Sequence, residues 1–538
     1  EVVRGPASVL YGPEAMGGVI NLVHEPLPFA SDGKSVFHGE VAPNFSSNTG
    51  EWTGRVRLEG AISSFGWRVD ALRREGGDIR TPSGTFDSTD FAQTNGAVMA
   101  GGSGAWGTLR VRFHHWEDAT GFFQPPGFRL DLDDDLLAAD LHVPTDAGVF
   151  EVLLGRQENR RRAFPAELGR QPGVDLDLIT LNARLGFEHR RFGRLRGRGA
   201  VEYQGLDNTP RAGQLVPEYE SHNVAVMLYE EARFLNDADA GLDRVIASLG
   251  LRRDEQALDV APFPDWQLPP RVKRHYGAMT GALGLVLRLR EDLAIAGSLG
   301  RGWRPPSPFE QYARGVHGGV AAFQLGNPGL AAESNVNAEV SLRYRGHRVQ
   351  GSVSAYRNAF DGYIYLADSG ETLGSLPVFV HAQADATIRG VETAVDLAPV
   401  DWLQLGLAYT ITETRNERTG TALPPDPARS CAHRASPGDA VPRGAQVPLR
   451  RPRRHVRREG RGVGARRAAG DADPTLPGAR PGGRRLPRGR AGDGGAESCR
   501  AESSRYRVHG LPVELQAVCC QPGPRRARRG VRALLSAR

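Results

Sequence analysis

Period-two alternation of apolar and polar residues, sustained over unusually long stretches, dominates the first 425 positions. Between 335 and 344, Val336, Ala338, Val340, Leu342 and Tyr344 fall on one side, and Asn335, Asn337, Glu339, Ser341 and Arg343 on the other. Between 402 and 412, Leu403, Leu405, Leu407, Tyr409 and Ile411 alternate with Gln404, Gly406, Ala408, Thr410 and Thr412. Successive strand side chains point to opposite faces, so each stretch reads as a strand with one apolar and one polar face. About fifteen or sixteen such segments fit before Asp426, most of them about 10–14 residues long. Globular strands average roughly 5–6 residues, whereas a tilted strand needs about 9–11 to cross a bilayer. The polar faces are too charged for a sandwich core but suit a water-filled lumen. Short connections on one rim and long ones on the other (117–148, 255–273 and 304–332) are the asymmetry of an outer-membrane barrel. No fixed repeat of the kind a solenoid or propeller requires is present.

Charge divides the chain near Asp426. The full 538 residues carry a formal net charge of +6. From 427 onward there are 26 arginines, no lysine and eight acidic residues, a charge of +18; the remainder holds 42 basic and 54 acidic residues, a charge of −12. All four cysteines (Cys431, Cys499, Cys519 and Cys520) lie in the tail. The basic balance therefore says nothing about the alternating body. That body shows no phosphate-binding loop, zinc-ligand spacing or nucleophile–base pair, so an enzyme is not expected, nor is a cofactor. No apolar run is long enough for a transmembrane helix.

Three segments carry a family resemblance. Residues 1–23, EVVRGPASVLYGPEAMGGVINLV, resemble the second half of the plug domain of TonB-dependent outer-membrane receptors, with Arg4, Gly5, Pro6, Tyr11, Gly12, Gly17, Gly18 and Asn21 at the motif positions. Residues 301–330 (RGWRPPSPFEQYARG followed by FQLGNPGL) continuing into 333–344, and residues 385–392 (DATIRGVE), resemble two of that family's barrel segments. The resemblance implies an antiparallel transmembrane β-barrel of about 22 strands closed by an internal plug. It also implies the Gram-negative outer membrane as location and energised uptake of a scarce ligand, a ferric siderophore first. Haem, zinc or another metal ion, cobalamin or a sugar are alternatives, as is a passive porin or adhesin barrel. The implied partners are the TonB–ExbB–ExbD complex, the ligand and outer-membrane lipid; no nucleic acid is expected.

On this reading residues 1–30 are the C-terminal half of a plug, 31–425 an incomplete barrel and 426–538 an aberrant Arg/Pro/Gly-rich tail expected to be disordered. The tail reads as a nucleic-acid- or lipid-binding extension, a disordered surface segment, or a shifted reading frame in a high-GC gene, and its composition favours the last. Relative to the family, the signal peptide, the TonB-binding peptide, the first half of the plug and about six strands are expected to be missing. The readable strands would then form an open sheet with two raw edges, and the functional reading concerns the intact protein.

Within the plug, the glycines are expected to make tight turns, and Val19, Ile20, Leu22 and Val23 a short buried strand. Arg4, an unpaired cation in a lumen, is expected to reach Glu339 or Glu392, which alternation puts on the polar face. Phe122, Phe123, Tyr312 and Arg314 are candidates to stack on a ligand of the catecholate type; Trp266 reads equally as a girdle residue. Asp131, Asp133, Asp135 and His142 are weak metal candidates, because the acidic run lacks the glycine and distal glutamate of a calcium loop.

Overall fold

The structure is a computed structural model that describes residues 2–4, 8–30, 35–123, 127–165, 172–213, 215–237, 242–261, 271–317, 320, 322–423, 430–437, 504–508, 511–518 and 532–537. Among the described residues twenty strands form one sheet, two of which, Arg314–His317 and Ala322–Leu325, make a hairpin attached at one rim. The other eighteen form a wall with antiparallel neighbours, in strands of 12 to 25 residues apart from the last. The strand order returns on itself: the short strand Ser430–Pro437 stands between Leu403–Asn416 and Ser35–Ser46. The expected open sheet is thus not what the described residues form. A ring suits the physics, because an unpaired strand edge in hydrocarbon leaves backbone donors and acceptors without partners.

The alternation decides which face meets lipid. In strand Glu333–Arg345, Val336 and Val340 are 50% and 61% exposed, while Asn335 and Asn337 are 1% and 4% exposed. The same inversion recurs in Tyr219–Asp237, where Val224, Val226 and Leu228 are exposed and Ser221 and Asn223 are buried. Exposed apolar and buried polar side chains are the reverse of a soluble domain. They describe a wall greased outside and hydrated or plugged inside. Arginine–carboxylate pairs brace the inner face, among them Arg55–Asp70 at 2.8 Å and Arg68–Glu59 at 2.6 Å.

Connections at one rim are short (63–64, 105–106, 145–147, 190–194, 289–292 and 346–348), while the other rim carries 77–90 and 305–332. Two expected loops need correction. Residues 117–148 are mostly strand: Gly107–Phe122 and Phe128–Pro144 are joined by a few residues. The acidic run belongs to the second of these, where Asp131 and Asp133 lie opposite Arg162 and Arg160 of the next strand. Opposite charges at facing positions, with Gln157 and Asn159 donating to Asp134, let a carboxylate-rich segment continue a sheet. Likewise strand Leu242–Val260 runs into the first part of the expected 255–273 loop, as far as Val260, and Trp266 lies outside the described residues.

In the tail, the described strands Ser504–Val508, Leu511–Val518 and Arg532–Ala537 form a three-stranded antiparallel sheet. The sequence accounts for its middle strand, since Leu511, Val513, Leu515 and Ala517 alternate with Pro512, Glu514 and Gln516.

Placing a charge on the lipid face tests the assignment of faces. Val226→Arg is expected to cost about 2–4 kcal/mol of stability in lipid vesicles, read by guanidinium unfolding, and Val226→Leu close to nothing. Equal stability of the two variants would mean that this face does not meet lipid.

Candidate functional site

The segment before the wall lies on the polar inner face. Ser8–Tyr11 is a single helical turn, closed by the Gly12 amide donating to the Ser8 carbonyl at 2.9 Å. Gly12 stops it with φ at +92°, a conformation that a side chain would strain. Ser8 Oγ then donates to the Ala15 carbonyl at 3.2 Å, folding 8–16 into a compact knot. Val9, 3% exposed, rests directly on Gly250, where a methyl group would come within 2.7 Å of its side chain. Gly302 provides a second close approach, to Ser8, Met16 and Asn335. The wall is shaved to glycine where the knot touches it.

Asn335 ties the knot to the wall. Its Oδ1 accepts from the Gly302 amide at 3.0 Å, and its Nδ2 donates to Asn358 Oδ1 at 2.7 Å and to the Met16 carbonyl at 3.4 Å. Met16 packs with Phe360, Ala386 and Leu423 into a small core. The following residues lie along the same face, where Arg68 donates to the Glu25 and Pro26 carbonyls at 3.0 Å. Gly12 also sits against Arg252, which donates to Asp254 at 2.9 Å and pairs with Glu202.

A second charged cluster lies where the inner face meets the 305–332 loop. Arg304 reaches Glu310 at 2.8 Å and Glu333 at 2.9 Å. Glu310 is also N3 of a capping box: the Glu310 amide donates to Ser307 Oγ at 3.1 Å, and the Ser307 amide to the Glu310 carboxylate at 2.8 Å. That box starts the short helix Pro308–Tyr312. Burial works to raise the Glu310 pKa, but bonds and charge from Arg304 and the Ser307 donors outweigh it, holding the carboxyl below its usual range. Glu14 shares this field with φ at +78°, its amide donating to the Trp303 carbonyl at 3.2 Å. Burial pushes the Glu14 carboxyl above its usual range, with Arg304 opposing and Glu310 adding to the effect. The loop is strapped down too: Asn327 Nδ2 donates to the His381 carbonyl at 3.2 Å, and Gln311 Nε2 to the Leu330 carbonyl at 3.3 Å.

The sequence-predicted residues fare unevenly. Gly18–Ile20 does form a strand, paired antiparallel with Val2–Arg4, but Ile20, Leu22 and Val23 are 75%, 84% and 69% exposed rather than buried. A two-stranded sheet leaves one apolar side without a covering layer among the described residues. Gly5, Pro6 and the Arg4 side chain lie outside the described residues, and with them the proposed pairing. Glu339 falls on the inner face as alternation requires, half-buried beside Asn337 and Ser341. Glu392 is half-buried and has interactions of its own. Tyr11 and Asn21 are at the knot and just after its strand, and Gly17 touches nothing that would forbid a side chain. The residues that brace the knot and loop are instead Asn335, Gly302, Arg252, Arg304, Glu310 and Glu333. The Ser307–Glu310 spacing was the legible sign of one of them.

At the long-loop rim, Phe122 packs against Phe128 at 5.2 Å between ring centroids, and Phe123 stacks on Phe86 at the same separation. Arg314 is exposed at the start of its hairpin. Tyr312 is not offered to a ligand: it is 2% exposed and packed with Leu258 and Val260. The metal candidates separate. Asp133 and Asp135 cluster with His115, whose Nδ1 lies 2.9 Å from Asp135, and Asp131 takes Arg129 at 3.3 Å. His142 lies at the far end of the same strand, 3.4 Å from Glu151.

Two outcomes follow. A Glu14 carboxyl with a raised pKa favours the docked knot when protonated, so docking is strongest at low pH. It weakens as pH climbs from the ordinary value of 4.5 through the raised one. Amide exchange of residues 8–16, corrected for intrinsic rates, is expected to speed up over that window, and Glu14→Gln to remove the dependence. Gly326→Ala would drive a methyl to 2.5 Å from the Gln311 and Tyr312 backbone. It is expected to cost about 1–3 kcal/mol locally and to open the 305–332 loop to limited proteolysis.

Comparison with known proteins agrees with this architecture. The chain is 23% identical over 416 residues to the vitamin B12 transporter BtuB of Photobacterium profundum, covering 74% of this chain and 60% of that protein. It therefore spans less than two thirds of that curated relative. Among solved structures, the copper transporter OprC superposes with a TM-score of 0.68 at 16% identity, covering 80% of this chain and 69% of that one. The siderophore receptor PirA from Pseudomonas aeruginosa gives 0.60 at 13%, covering 81% and 74%. The Serratia marcescens hemophore receptor HasR, solved with HasA and heme, gives 0.61 at 13%, covering 99% and 79%. These likenesses establish the fold. Residues 34–438, three quarters of the chain, match the TonB dependent receptor-like β-barrel family, and with the lipid-facing wall around its inner knot this chain belongs to that family of the Gram-negative outer membrane.

Proposed function

We propose that the protein to which this chain belongs is a TonB-energised importer of a scarce, bulky ligand, with a ferric siderophore of the catecholate class as substrate. The observation that carries the reading is the knot at 8–16, held to the inner face by Asn335, Gly302 and Val9. A passive pore has no use for a segment that occupies its lumen, whereas an energised receptor needs a plug that can be displaced. The bonds holding the knot are few, long or shared, and Glu14 there combines a strained backbone with a carboxyl that resists ionisation. Such a contact gives way to a modest pull more readily than a packed core does. The partner that pulls is the TonB–ExbB–ExbD complex of the inner membrane.

The ligand class rests on the long-loop rim. Phe122 and Phe123, 37% and 56% exposed, present aromatic rings, and Arg314 adds a cation. Planar, anionic catecholates are bound by stacking and by guanidinium contacts. The relatives' own names span cobalamin, copper, siderophore and haem, so support for the catecholate reading comes from this rim chemistry rather than from the likeness.

Uptake of an iron-labelled ferric catecholate by cells producing the protein, with and without TonB, tests both parts. Accumulation is expected to vanish without TonB and to fall severalfold in Phe122→Ala/Phe123→Ala. Uptake indifferent to TonB would make the barrel a passive pore. TonB-dependent uptake of cyanocobalamin or haem but not of the catecholate would reassign the ligand.

A further inference from the structure

The short-turn rim holds a cavity that uptake does not require. The connections 145–147 and 190–194, with the end of strand Tyr219–Asp237, enclose about 370 Å³. Arg190, Arg191, Arg194, Arg196 and Arg233 line it, and Glu188 is the only carboxylate among the lining residues described. Two of the five guanidiniums are neutralised: Arg196 donates to Glu188 at 2.9 Å and Arg233 to Glu231 at 2.7 Å. Arg190, Arg191 and Arg194 pair with no carboxylate among the described residues. Arg191 donates to the Gly193 carbonyl at 3.2 Å, and Arg194 lies over the Phe234 ring at 5.6 Å. Three unneutralised cations gathered around one cavity repel one another, a cost that an anion removes. Guanidinium forks match phosphate oxygens in pairs, which makes phosphate the chemical class.

The cavity's surroundings choose the source of that phosphate. Its wall includes Val149, and the adjoining outer surface carries Phe150 and Leu195, 45% and 43% exposed. Phe150 packs against Phe187, tilted, with 4.6 Å between ring centroids. Phe192, between Arg191 and Gly193 in the turn itself, is 81% exposed. Aromatic side chains at this level mark the border between hydrocarbon and headgroups, and in an outer-membrane barrel the short turns face the periplasm. We propose that this arginine cavity binds the phosphate of an anionic glycerophospholipid of the inner leaflet, whose acyl chains continue along the Phe150–Phe187 side of the belt. A phosphate free in solution gains nothing from Phe192 and the belt; a lipid uses both. The site rests on the barrel's orientation in the membrane and is independent of which ligand is imported.

The full chain, extracted in mild nonionic detergent and shown to be folded by heat-modifiable gel mobility, can be titrated under native mass spectrometry. The probes are short-chain phosphatidylglycerol, phosphatidylcholine of the same chain length and inorganic phosphate. The wild-type protein is expected to retain phosphatidylglycerol over phosphatidylcholine. Arg190→Gln/Arg191→Gln/Arg194→Gln is expected to weaken that retention by about tenfold or more. Should the triple variant fail to fold, Arg191→Lys/Arg194→Lys keeps the charge but removes the forks, and a roughly threefold loss is expected. Equal retention by a folded variant and the wild type overturns the site. Displacement of phosphatidylglycerol by equimolar inorganic phosphate, or no preference over phosphatidylcholine, overturns the lipid as its source.

Discussion

Backbone hydrogen bonding in hydrocarbon governs everything else in this molecule. Water is absent there, so each amide and carbonyl must be satisfied within the sheet, and the sheet must curl until its edges meet. Ring closure through Ser430–Pro437 follows from that demand, although the strand comes from the part of the chain whose composition is least like a barrel. Closure also creates an interior. Once the wall is a ring, its polar face lines a lumen, and a charge there needs a partner from the wall or from whatever fills the space. The Arg55–Asp70, Arg68–Glu59 and Arg252–Asp254 pairs answer that need.

The knot at 8–16 takes advantage of this interior without becoming part of the wall. It is held by shape at Gly250 and Gly302, by one bond from Asn335 to the Met16 carbonyl and one from the Glu14 amide to the Trp303 carbonyl, and by a field in which Glu14 is left above its usual pKa. Val9 and Met16 supply the apolar part of this contact, and Glu14 its one strained carboxylate residue.

Most of the wall was legible because alternation is a local signal. The ridge of Val336, Val340 and Leu342 and the inner row of Asn335, Asn337 and Glu339 are both in the order of the letters. Legibility failed where side chains of the same kind serve different surroundings. The Asp131–Asp135 run looks like a solvated loop until the facing arginines Arg160 and Arg162 make it a strand. Tyr312 looks like a ligand contact until Leu258 and Val260 close over it. Ile20, Leu22 and Val23 look like a core strand, but nothing described covers them. Each error concerns a partner distant in sequence, which periodicity cannot supply.

By itself, the sequence determined the class of fold and its two faces, since strand length and alternation depend only on neighbouring residues and on the thickness of a bilayer. The resemblance of residues 1–23 to a plug likewise rests on local letters, its glycines and their spacing. Only the tertiary structure decided which residues hold that segment. Asn335 could be chosen over its neighbours on the same inner row, and Arg304, Glu310 and Glu333 brought together with Glu14, only once residues as far as 319 positions apart in sequence had been set side by side. Register across a closed ring is a long-range property, and the bonds that select one polar side chain among many on a face exist only after the ring has formed.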